Sequence, residues 1–165
     1  MANIRFGIIC PSEIAFRRFL PSLQKVEGVE FAIASPTEWF GDVSKISEAD
    51  ITIQQERELA KAKTFVDAFG GKIYNSYTEI CTAEDVDAIY LPLPPALHYH
   101  WAKLVMESKK HALVEKPFTT KFSETNDLLA LAKANNLAVH EDYMFVYHNQ
   151  IKAINDIISS GEIGR

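Results

Sequence analysis

Short apolar runs alternate with helix-patterned stretches along the whole chain, and this alternation leaves few folds open. The runs are Ile4 to Ile9, Val29 to Ser35, "KIYN" from Lys72, "AIYLPL" from Ala88, "HALVEK" from His111 and "LAVHEDYMF" from Leu137. Strands separated by helical patterns form parallel sheets through crossover connections, because a parallel neighbour cannot be reached by a tight turn. The expected fold is therefore α/β: a doubly wound parallel sheet of the Rossmann-like kind. Such sheets bind ligands at the carboxyl ends of their strands. The residues to inspect are those just after Ile9, Ala34, Leu91 and Val114.

The intervening helices are expected at about Glu13 onward, near Gln55 to Phe69, over "HYHWAKLVMES", from Ser123, and over about Gln150 to Ser160. Pro21 should kink or end the first of them, since it has no N–H to donate. Gly70-Gly71 ends the second, and Ser123 is the expected cap of the fourth. The last uses Ile151, Ile154, Ile157 and Ile158 at helical spacing, with Gly161 past its end. The stretch "PTEWFGDVSKISEADITIQQ" is long for a strand-to-helix connection, which usually takes about 2–6 residues. It reads as a lid, an insertion or an irregular surface loop.

Composition excludes several classes of function. Among 165 residues, 17 basic side chains face 22 acidic ones, a formal charge of -5, with no basic run that would follow a phosphate backbone. No apolar stretch reaches the roughly 18 residues that would span a membrane. Neither nucleic acid nor a membrane is an expected partner. Cys10 and Cys81 suit free thiols in a reducing compartment, so a cytoplasmic location is expected. His98 and His100 lack the cysteines or clustered carboxylates of a metal site, and no metal is assigned.

The turn after the first strand raises a question. A dinucleotide turn needs glycines for tightness, for backbone approach to pyrophosphate and for helix packing. Here Cys10, Ser12 and Ala15 hold those places. Pro11 pushes Cys10 toward an extended conformation and removes a phosphate donor. Ser12 can donate its hydroxyl to a phosphate or simply cap the helix. The N–H groups of Glu13 and Ile14 offer an anion site, which the Glu13 carboxylate opposes. Ser35 holds the ribose-reading position, where a serine leaves room for a 2′-phosphate and leans toward NADP over NAD.

Four ordered motifs, "YLPLPPALHYHWA", "EKPFTT", "EDYMFVYHNQ" and "IISSGEIG", resemble the cofactor domain of the Gfo/Idh/MocA family of NAD(P)-dependent sugar oxidoreductases. "CPSEIAFRRFLPSL" is similar to the turn and helix of its nucleotide-sugar 3-ketoreductases. The resemblance implies hydride transfer between NAD(P) and a hydroxyl or ketone of a sugar or nucleotide sugar. It makes Lys116 the catalytic residue, polarising the reacting oxygen. It places Pro92, Leu93 and Pro94 along the nicotinamide half of the cofactor, with His98, Glu115 and Lys116 around it. Pro117 has the option of a cis peptide bond. Glu141 and Tyr143 would face the cleft, whereas Val146 and Asn149 stand where arginine and proline are frequent.

The resemblance further implies a dinucleotide-binding domain over 1–149 and a connecting helix over 150–165. Beyond it a substrate domain, absent from this chain, would carry an Asp-x-x-x-His pair and the contacts of a homo-oligomer. The chain alone is then expected to be inactive. The opposing reading is a non-catalytic scaffold that kept the fold but lost the dinucleotide with its glycines.

Overall fold

The parallel strands predicted from the apolar runs are all present in a computed structural model, which describes residues 3–35 and 45–164. The strands are β1 (Ile4–Ile8), β2 (Val29–Ala34), β3 (Lys72–Tyr74), β4 (Ala88–Leu91), β5 (His111–Glu115) and β6 (Val139–Asp142). They form one sheet in the order β3-β2-β1-β4-β5-β6, every pair parallel. Chain direction across the sheet reverses between β1 and β4, which opens the ligand crevice at their carboxyl ends.

Consecutive residues of a strand point to opposite faces, and here both faces are buried. Ile8, Ile33 and Tyr90 pack with α1 (π-helical over Ala15–Phe19, then α-helical over Leu20–Leu23) and with α2 (Glu48–Phe69). Their neighbours Ile9, Ala34 and Leu91 belong to the other core, which includes residues of α3 (Tyr77–Thr82), α4 (Pro95–Glu107) and α5 (Phe122–Ala134). At the amino-terminal edge Arg5 pairs with Asp87, and the Lys110 ammonium donates to the carbonyls of Ala83 and Val86. No helix of the described residues is long and apolar enough to cross a membrane.

Several local expectations need correction. Pro21 does not end the first helix at once but follows a local distortion of it, the other outcome expected. The Leu20 N–H bonds Ala15 O in a wide π turn, and the Ser22 hydroxyl donates to the Arg18 carbonyl at 2.9 Å. Widening the turn is one way a helix accommodates a residue that cannot donate. The second helix starts at Glu48, not near Gln55, because the Ser47 hydroxyl accepts the Asp50 N–H at 3.1 Å and caps it. Ser123 is not a cap. The helix begins at Phe122, with Lys121 in the capping position and no side-chain cap bond. Residues 36–44 of the long connection lie outside the described residues.

Strand six stops at Asp142. Met144–Tyr147 form a 3-10 turn that leads into α6 (Asn149–Ser160). The isoleucine stripe of α6 is not buried: Ile154, Ile157 and Ile158 are exposed, as are Met144, Phe145 and Tyr147 beside it. Its C-cap Gly161 is left-handed, as expected.

Gly70 and Gly71 both have positive φ, but a side chain at Gly70 would meet open space while one at Gly71 would lie 2.6 Å from the Phe31 carbonyl. Gly70→Ala should cost about 1–3 kcal/mol from backbone conformation alone. Gly71→Ala should cost clearly more, because β2 must move as well. Urea unfolding of both variants measures the difference, and equal losses would refute the steric argument.

Candidate active site

The segment after β5 is held at three points by three different elements. From β4, the buried Tyr90 phenol donates to Glu115 Oε1 at 2.6 Å. From α4, His98 Nδ1 lies 2.8 Å from the Pro117 carbonyl oxygen. From β6, Glu141 Oε1 accepts the Phe118 N–H at 2.7 Å. The Lys116–Pro117 peptide is cis. Between these anchors the Lys116 side chain is exposed, and its ammonium has no partner among the described residues. A cation that its neighbours do not consume is available to an incoming oxygen.

The anchors are local consequences of register. Tyr90 pairs with Leu113 across β4 and β5, which puts its phenol on the same sheet face as Glu115, two residues further on. Glu115 is only 8% exposed, so its carboxylate needs a donor, and the phenol supplies one. Burial first, then the bond to Glu115, pushes the Tyr90 phenol far above its usual range. Asp142 is the register partner of Glu115. Burial first and the Glu115 charge second raise its carboxyl above the usual value.

The expected cofactor strip is only partly open. Pro92 and Leu93 are buried, Leu93 within the core, while Pro94 is exposed at the start of α4. His98 is fully buried, and its Nε2 lies 2.7 Å from the Leu93 carbonyl oxygen. His100 is exposed and packs edge-on against Trp101, so the two histidines do not converge. The Glu141 carboxylate is committed to Phe118, whereas Tyr143 is exposed.

At the first turn the side chains close the helix themselves. Ser12 N donates to Cys10 O at 2.8 Å, and the Ser12 hydroxyl accepts the Ala15 N–H at 3.3 Å. The capping reading of Ser12 is therefore realised, and its hydroxyl hydrogen is still free to donate. Glu13 is exposed and pairs with Arg17 at 3.0 Å. The N–H groups of Glu13 and Ile14 open the helix, where no preceding turn supplies acceptors. Burial raises the Cys10 thiol, partly opposed by a bond with Tyr77, so it is not an activated nucleophile.

A groove of about 590 Å³ runs from this turn to α2, lined by Cys10, Ser12, Arg17, Glu58 and Lys61 among others. Lys61 is paired with the buried Glu58 at 2.6 Å. Each cation on the groove therefore has its own carboxylate.

Ser35 follows β2 and is 1% exposed; its backbone N–H donates to Tyr74 O. Its hydroxyl has no hydrogen-bond partner among the described residues. A buried polar group without a partner is costly, so a missing ligand atom is a natural complement. Ser35 holds the position expected to read the ribose, and its unpartnered hydroxyl has the chemistry to meet a ribose or phosphate oxygen there, although it is covered in this structure.

Tyr90→Phe removes the donor to a buried carboxylate and should cost about 1–3 kcal/mol in urea unfolding. The sign of the pH effect also follows. A phenol raised in the folded state contributes stability below its ordinary value of 10.0 and loses it as pH climbs toward the folded value. The stability difference between wild type and variant should therefore shrink above about pH 10. A constant difference would mean that the phenol proton is not held.

Residues 37–143 match the Gfo/Idh/MocA oxidoreductase family over its NAD-binding Rossmann fold. A dTDP-3,4-didehydro-2,6-dideoxy-alpha-D-glucose 3-reductase from Actinomadura kijaniata is 34% identical over 161 residues, which are 98% of this chain and 42% of the relative. Its counterpart from Saccharopolyspora spinosa is 32% identical with the same coverage. An uncharacterized oxidoreductase from Rhizobium meliloti is 36% identical over 99% of this chain and 43% of its own length. Among solved structures, a 3-ketoreductase from Actinomadura kijaniata in complex with NADP and TDP-benzene superposes with a TM-score of 0.79. It is 34% identical, over 96% of this chain and 43% of that one. The chain thus spans less than half the length of these relatives. By its sheet order, its motifs and the family match over most of its length, the chain belongs to the Gfo/Idh/MocA family and is an NAD-binding Rossmann domain of that family.

Proposed function

We propose that this chain is the cofactor-binding half of an oxidoreductase that moves hydride between NADP and a sugar or nucleotide-sugar hydroxyl or ketone. The carrying observation is Lys116, an unpaired ammonium held between three anchored neighbours at the carboxyl end of β5. Ser12, with the N–H groups of Glu13 and Ile14, would hold the pyrophosphate. Ser35 would take the ribose end, and Pro94 and the backbone of Leu93 would line the nicotinamide half. When bound, NADP supplies or accepts the hydride. The work of the protein is to orient and to polarise: Lys116 Nζ donates to the substrate oxygen and stabilises its negative charge during reduction. In the oxidative direction the same ammonium stabilises the alkoxide as the hydroxyl passes its proton to a base that the substrate domain would supply.

The relatives named as reductases of dTDP sugars favour a nucleotide-sugar substrate here. The exposed face of α6, with Ile154, Ile157 and Ile158, is then the docking surface for a substrate domain, consistent with relatives more than twice as long. Domain boundaries near 149, and a homo-oligomeric full-length enzyme, follow from the same reading.

The scaffold alternative rests on one observation: Ser12 spends its own N–H on Cys10 and its acceptor on Ala15, so the turn is closed without a phosphate. Titration with NADPH and NADH, followed by nicotinamide fluorescence, separates the two. The proposal expects NADPH to bind at least tenfold tighter than NADH, a difference of about 1.4 kcal/mol. Ser35→Asp should reverse that order by repelling the 2′-phosphate and accepting from the ribose hydroxyls. No response to either nucleotide at millimolar concentration would establish the scaffold.

A further inference from the structure

His98 is a buried imidazole whose two nitrogens face backbone carbonyls of two different loops. Nδ1 is 2.8 Å from Pro117 O, one residue beyond Lys116, and Nε2 is 2.7 Å from Leu93 O in the strip after β4. With 0% exposure and both nitrogens engaged, the ring has no polar atom left for a ligand. It therefore acts through the backbone. The two loops are otherwise secured separately. Glu141 holds the Phe118 N–H on one side, and the Pro94 carbonyl accepts the Leu97 N–H at 2.9 Å on the other.

From this juxtaposition we infer that His98 is a positioning residue, which locks the Pro92–Pro94 strip to the Lys116–Pro117 segment so that cofactor floor and ammonium form one rigid unit. The lock is the cheapest device available at this point. Adjacent strand ends diverge into a crevice, and a single planar ring with nitrogens on opposite sides spans the gap between the buried Leu93 carbonyl and the part-buried Pro117 carbonyl, bonding both when each nitrogen carries a hydrogen. The inference rests on the reading of Lys116 and the strip as cofactor-facing. Its first readout needs no cofactor.

Amide hydrogen exchange on the chain itself measures the lock. In His98→Gln, which keeps one side-chain donor group, and in His98→Phe, which keeps none, the amides of Phe118 and Leu97 report the two loops. The Ile9 amide, bonded to Tyr90 O at 3.2 Å, reports the sheet. In His98→Phe both loop amides should exchange about tenfold faster while Ile9 is unchanged, with Gln intermediate. Faster exchange at all three amides, or at only one loop, would overturn the lock. If His98→Phe does not fold, the same pattern in His98→Gln decides.

The second readout compares NADPH with 2′,5′-ADP, which lacks the nicotinamide. In the variants NADPH affinity should fall at least about fivefold while 2′,5′-ADP is unaffected, because only the nicotinamide half lies on the locked unit. Equal losses for both ligands would overturn the inference. Coupled loops in a wild-type chain that binds neither ligand would leave the lock standing and defeat the cofactor reading instead.

Discussion

In its proposed role, Lys116 depends on the immobility of the residues beside it. A lysine side chain is long and flexible, and it delivers a charge to a defined point only if its backbone is fixed. Here Glu115, Pro117 and Phe118 are tied to β4, α4 and β6 by bonds of 2.6–2.8 Å. Each tie also satisfies a polar group that burial would otherwise penalise, so folding and site construction are one process. The sheet order makes this possible, because β4, β5 and β6 are neighbours and end at the same edge.

The first turn is built on a different economy. A glycine turn leaves its N–H groups pointing outward for phosphate, while this one uses Ser12 to cap its own helix. The trade removes donors and adds rigidity. In the proposed enzyme the dinucleotide would then depend less on the turn and more on other contacts, with the unpartnered Ser35 hydroxyl a candidate among them. The paired charges in the nearby groove point the same way: Arg17 and Lys61 already have carboxylates, so neither is a free phosphate anchor.

The sheet was legible because burial on both faces leaves continuous apolar runs, and because each run was followed by a helical pattern. Lys116 was singled out by its Glu and Pro flanks, and the structure adds that it stands exposed just after β5. Contacts between residues far apart in the chain were not. Nothing in the spacing of Tyr90 and Glu115, or of Phe118 and Glu141, announces a bond, since each depends on strand register. His98 was visible as a motif residue expected to shape the nicotinamide pocket, but its contacts were not, because the carbonyls it meets belong to the backbone. Of the two outcomes expected at Pro21, a kink or an end, the helix takes a local distortion: it widens into a π turn just before the proline and continues to Leu23. The start of α2 was misplaced because the short Ser47–Asp50 cap was hidden inside a polar stretch. The stripe of α6 was read correctly as a helix, yet its burial requires a partner that the described residues do not provide.

In the proposed enzyme one edge of the sheet, from the Cys10 turn across to Lys116, forms a single dinucleotide site. An NMR titration of the isotope-labelled chain with NADPH tests it most directly. The account predicts amide shifts at Ser12, Glu13, Ile14, Ser35, Leu93 and Lys116, with Asp87 and Lys110 at the opposite edge unmoved. Shifts confined to α5 or α6, or spread evenly over both edges, would contradict it.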